Sequence, residues 1–74
     1  MLSKSELVVG KYYSGTCRNA LLARWNGKVF IYMRSKFGYT YPEAINHEED
    51  FNGYDCFKPN ALVSEPEYEI PLST

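Results

Sequence analysis

The chain has 74 residues, 45% of them hydrophobic, 23% charged and 16% aromatic, and its formal net charge is −1. This length gives one domain, residues 1–74, because two halves would each bury too little surface to fold. No apolar run approaches the roughly 20 residues of a membrane-spanning helix, and Met1-Leu2-Ser3-Lys4-Ser5-Glu6 lacks the apolar stretch of a secretory signal, so a cytoplasmic location is expected, with Cys17 and Cys56 reduced; a single disulfide is the alternative if the two face each other.

In chain order, Leu7-Val8-Val9-Gly10-Lys11-Tyr12-Tyr13 reads as a first strand and Ser14-Gly15-Thr16 as the turn after it. The clearest local signal comes next. Asn26-Gly27 stands between the β-rich runs Ala20-Leu21-Leu22-Ala23-Arg24-Trp25 and Lys28-Val29-Phe30-Ile31-Tyr32-Met33-Arg34, as a type I′ turn requires. That register sets Trp25 opposite Lys28, Ala23 opposite Phe30 and Leu21 opposite Tyr32. The other face then carries Leu22 with Ile31 and Ala20 with Met33, and it reads as core. The aromatic face is either a second buried layer, as in a barrel, or a contact surface.

Phe37-Gly38-Tyr39-Thr40-Tyr41 continues the β-like composition, and Pro42-Glu43-Ala44-Ile45-Asn46 reads as extended. Residues 47–53 read as a polar loop. A tight turn at Asn52-Gly53 would oppose Asp50 and Asp55, so a wider loop is expected. Tyr54-Asp55-Cys56-Phe57 reads as a short strand ended by Pro59, Ala61-Leu62-Val63 as a short apolar piece, and Glu67-Tyr68-Glu69-Ile70 as a terminal edge strand between Pro66 and Pro71. The expected fold class is all-β: a small five- or six-stranded Src-homology-3-like barrel or a rolled antiparallel sheet.

Charge is sorted along the chain. Lys11, Arg18, Arg24, Lys28, Arg34 and Lys36 precede Pro42 with no acid among them after Glu6, whereas residues 43–74 hold eight acids against Lys58 alone. This pattern either makes a basic face beside an acidic one, or cancels when the two halves pack together.

The residue inventory argues against an enzyme. The single histidine, His47, stands in an acidic run, and no nucleophile motif, phosphate loop or dinucleotide fingerprint is present. A zinc site from Cys17, His47 and Cys56 lacks a short-spaced ligand pair, and the Asp50 to Asp55 stretch lacks calcium-loop spacing, so no metal or cofactor is expected. The informative constellation is the basic, aromatic first half. Rings stack on bases while Arg and Lys neutralise phosphates, which suits a nucleotide-type ligand. The candidate ligand-binding residues are Tyr13, Thr16, Arg18, Asn19, Trp25, Tyr32, Arg34 and Lys36, with Ser14-Gly15-Thr16 beside Arg18 offering N–H groups and hydroxyls to a phosphate. The alternative is that these aromatics pack and the charges are simply the wet side.

The stretches Tyr13-Ser14-Gly15-Thr16-Cys17-Arg18-Asn19, Ala23-Arg24-Trp25-Asn26-Gly27, Phe37-Gly38, Asn46-His47 and Asp55-Cys56-Phe57-Lys58-Pro59 together resemble short accessory proteins encoded by tailed bacteriophages. That resemblance implies production in a bacterial cytoplasm and a role in blunting host immunity. It supplies no ligand residues. The expected function is therefore a non-enzymatic phage anti-defence protein that sequesters a nucleotide-type signal. The alternative is a stoichiometric inhibitor docking on a host or defence protein. Self-association is expected too, since so small a core is marginal alone and Trp25, Phe30 and Tyr32 must either close a tight barrel or meet another copy.

Overall fold

Gly15 marks the place where this chain bends into a ring. It lies in β1 (Tyr12–Thr16), and a Cβ added there would sit 2.7 Å from two ring carbons of Phe57, so only a glycine lets that ring pack inside. β1 pairs antiparallel with β5 (Cys56–Val63), and the register shifts between Ser14 and Gly15, a bulge that sharpens the curl. On its other edge β1 pairs with β2 (Leu22–Trp25), β2 with β3 (Phe30–Lys36), and β3 with β4 (Tyr39–His47), all antiparallel. A short parallel contact, Asn46 with Cys56 and His47 with Phe57, closes the five strands into a barrel. The computed structural model describes all residues except 18–19 and 51–54, so the turn considered at Asn52-Gly53 lies outside the described residues.

The all-β barrel expected from the sequence is the fold observed, and its core is the aromatic face of the β2–β3 hairpin. Tyr13, Ala23, Trp25, Phe30, Tyr32, Ile45 and Phe57 fill the interior. Trp25, Phe30 and Tyr32 thus close the barrel and are not an interface with another copy. The aliphatic face, read as core, is instead the barrel's outer side: Ile31 forms a separate cluster there with Tyr12 and Ile70.

Several boundaries differ from the sequence reading, each for a local reason. Residues 7–10 are not strand, and Ser14-Gly15-Thr16 is strand rather than turn, because Gly15 is needed against Phe57. Arg24 opposes Ile31 and Trp25 opposes Phe30, so the β2–β3 loop has four residues rather than two. Asn26 Oδ1 accepts the N–H groups of both Lys28 and Val29 at 2.9 Å, a side-chain-built loop that replaces the type I′ turn. The register slips by two residues, an even number, and so every side chain keeps its face. The two-residue turn is instead Phe37-Gly38, with φ of 53° and 80°.

β5 runs through Pro59, which is fully buried opposite Gly15 at the bulge, one of the few places where a sheet tolerates proline. Residues 67–70 are not an edge strand; the 64–74 segment crosses the outside of the barrel and buries Ile70 completely. A 3-10 turn, Lys4–Glu6, closes one end, with Leu2 and Leu7 against the core and the Leu2 N–H on Pro59 O at 2.8 Å.

Candidate functional site

Among the described residues, β3 pairs with β2 at Phe30 and Ile31, and β4 with β5 at Asn46 and His47. Beyond those pairs the β3–β4 hairpin runs on as a two-stranded arm that turns at Phe37-Gly38. Directly paired residues share a face, so Tyr32 with Glu43, Arg34 with Tyr41, and Lys36 with Tyr39 form one row, continuous with the core pair Phe30 and Ile45. Pro42 opposes Met33 in the other row. Lacking an N–H, it weakens β4 as a template for a further strand.

The row passes from buried to wet. Tyr32 is buried, and its hydroxyl donates to Glu43 Oε2 at 2.6 Å; Arg34 Nη1 reaches the same carboxylate at 3.1 Å. The Tyr32 hydrogen bond, followed by Arg34, holds the Glu43 carboxyl below the usual carboxylate range, against the opposing effect of burial. At the far end, exposure rises to 75% at Tyr39 and 86% at Phe37, while Lys36 Nζ stands 5.3 Å from the Phe37 ring centroid.

Of the candidate residues, the structure groups Tyr32, Arg34 and Lys36 on this one row. Tyr13, Trp25 and Tyr32 are inside the barrel, so none of the three offers a ring face to a base; the Tyr13 hydroxyl accepts the Val8 N–H at 2.8 Å. Thr16 is exposed at the end of β1, separated from β3 by β2, and the Gly15 N–H beside it is bonded to Leu21 O at 3.1 Å. Arg18 and Asn19 lie outside the described residues. Phe37 and Tyr39 belong to the basic, aromatic constellation without being candidate binding residues, Tyr41 and Glu43 stand outside it, and Phe37-Gly38 between two β-rich runs is the signal that marks the tip.

Compared with protein-family models, curated proteins and solved structures, the chain gives no match.

Charge sorting along the chain cancels in part in space. Arg24 meets Glu69 at 3.3 Å and Arg34 meets Glu43 at 3.1 Å, each joining the basic half to the acidic half. A cleft of about 220 Å³ beside Tyr32, Arg34 and Ile45 also contains Glu43 and Asp55, and their carboxylates repel phosphate. It is smaller than the roughly 300 Å³ at which small-ligand pockets begin.

His47, read as part of a polar loop, is the last residue of β4 and is fully buried. Its Nδ1 accepts the Glu49 N–H at 2.9 Å, which leaves Nε2–H to donate to Leu2 O at 3.0 Å. The ring stacks on Phe30 at 6.0 Å and 21°. These contacts give His47 a structural role. Among the described residues, no three His, Cys, Asp or Glu side chains come together as a metal site, and no helix is long and apolar enough to cross a membrane.

Proposed function

We propose that this protein is a non-enzymatic, stoichiometric binding module that docks on a partner protein through the tip of the β3–β4 arm. One observation carries the reading. Phe37 sits at φ 53°, where a bulky L-residue is strained, and its ring is 86% exposed. An asparagine or glycine would make the same turn at lower cost. Strain kept at an exposed aromatic that lies outside the core clusters, with an exposed Lys36 ammonium 5.3 Å from its ring, supports a contact made outside the chain. Tyr39 beside it is an aromatic of the kind that interface centres favour, and Lys36 supplies a charge suited to the polar rim. The partner surface that fits is an apolar pocket with an acidic rim.

Of the two readings attached to the phage resemblance, this favours the inhibitor that clamps a host or defence protein. Nucleotide sequestration is the weaker one, because Tyr13, Trp25 and Tyr32 are core residues and an open arm does not enclose a small ligand. The test uses the full chain as bait in lysate of the producing cell, beside Phe37→Asn and Lys36→Glu baits. Wild type should retain one protein in stoichiometric amount, Phe37→Asn should lose it and Lys36→Glu should weaken it. Equal retention by all three baits would overturn the arm as the contact.

A further inference from the structure

The 64–74 segment contains no strand, yet one of its residues is among the most buried in the molecule. Ile70 is 0% exposed and packs on Tyr12 and Ile31 outside the barrel. Side chains, not a β ladder, meet both of its main-chain polar groups. Its N–H donates to the Tyr12 hydroxyl at 2.9 Å, and its carbonyl accepts from Arg24 Nη1 at 2.6 Å. The same Arg24 nitrogen meets the preceding Glu69 at 3.3 Å, and Asn26 Nδ2 donates to the carbonyl of Leu72 at 2.9 Å.

The receptor side is built independently of the segment. Arg24 Nε donates to Gly10 O at 2.9 Å, and its guanidinium stands 5.1 Å over the Tyr12 ring, so both recognition side chains are oriented by β1, β2 and the Gly10 turn. The connection from Val63 runs through Ser64, Glu65, Glu67 and Tyr68, all exposed. The cluster around Ile70 is also distinct from the barrel core, so its release does not open that core.

We propose that the outer face of β1, β2 and β3 is a recognition site for an extended peptide of the pattern acid, branched aliphatic, proline, occupied in this chain by its own Glu69-Ile70-Pro71. Each element of the pattern has a partner. The acid meets Arg24. The aliphatic side chain fills the Tyr12–Ile31 depression while its main-chain groups meet Tyr12 and Arg24. The proline costs nothing, because no hydrogen bond from that position is used in the contact. Recognition by main-chain bonds plus one buried anchor is how many peptide-binding domains operate. Because the ligand is tethered, its effective concentration is on the order of millimolar, and a peptide from another molecule must displace it.

The experiment uses the full chain carrying Ile70→Ser and a fluorescent synthetic peptide spanning residues 64–74. The peptide should bind this variant saturably, and at least about tenfold more weakly to wild type, whose site is filled. A peptide carrying Ile70→Ser or Glu69→Lys should lose binding. Equal binding by both proteins would overturn the proposal, as would no binding to a folded Ile70→Ser chain. If that variant does not fold alone, added peptide should restore its β-type circular dichroism spectrum, and no recovery at millimolar peptide would equally overturn it.

Discussion

The Tyr32 hydroxyl and the Glu43 carboxylate meet at 2.6 Å where the barrel core gives way to the exposed arm. This bond, supported by Arg34, lowers the Glu43 pKa in the folded state relative to the unfolded chain. A lowered carboxylate pKa contributes stability that is fully present above the unfolded value, about 4.3 for glutamate, and is lost as pH falls below it through the folded value. Wild type should therefore lose melting temperature on acidification below about pH 4.3 more steeply than Glu43→Gln does. Parallel curves for the two proteins would remove Glu43 as the cause.

Gly15 is a second pressure point. A Cβ there would stand 2.7 Å from the Phe57 ring, which is fully buried and cannot retreat without moving the core. Gly15→Ala should cost about 1–3 kcal/mol, the usual penalty for overpacking. Denaturant unfolding measures it, and an unchanged midpoint would show that the β1–β5 bulge absorbs the methyl group.

Phe37 should behave in the opposite way. Replacing it by asparagine removes a bulky residue from φ 53° and buries or exposes no core surface. Relief of left-handed strain amounts to about 1 kcal/mol, which for a domain of this size raises the melting temperature by about 4–8 °C. Phe37→Asn should thus be more stable and, in the bait experiment, less competent. A variant that melts lower than wild type would mean that the ring supports the fold after all.

His47 tests the buried polar link. His47→Leu keeps most of the volume stacked on Phe30 but leaves the Leu2 carbonyl and the Glu49 N–H without the imidazole. The loss should be about 1 kcal/mol, because both partners are only part-buried and water can replace the imidazole. Hydrogen exchange at Glu49 should quicken selectively, and an unaffected Glu49 amide would contradict the bond from Glu49 to Nδ1.

The sequence by itself determined the strand-rich composition and the alternation that puts Ala23, Trp25, Phe30 and Tyr32 on one side of their strands. Period-two alternation is a local property, and it survived even the two-residue slip of the β2–β3 register. Tertiary structure alone decided which side was the interior. A sheet curled by the Gly15 bulge encloses its aromatic face, and residues 64–74 then cover part of the other, a distribution that no single strand encodes. It also decided which charges remained free, since Arg24 and Arg34 find Glu69 and Glu43 only through folding. The arm was half legible for the same reason. Arg34 and Lys36 stood out as residues, but the exposure of Phe37 and Tyr39 follows from where β2 and β5 stop pairing, a matter of long-range register rather than of residue type.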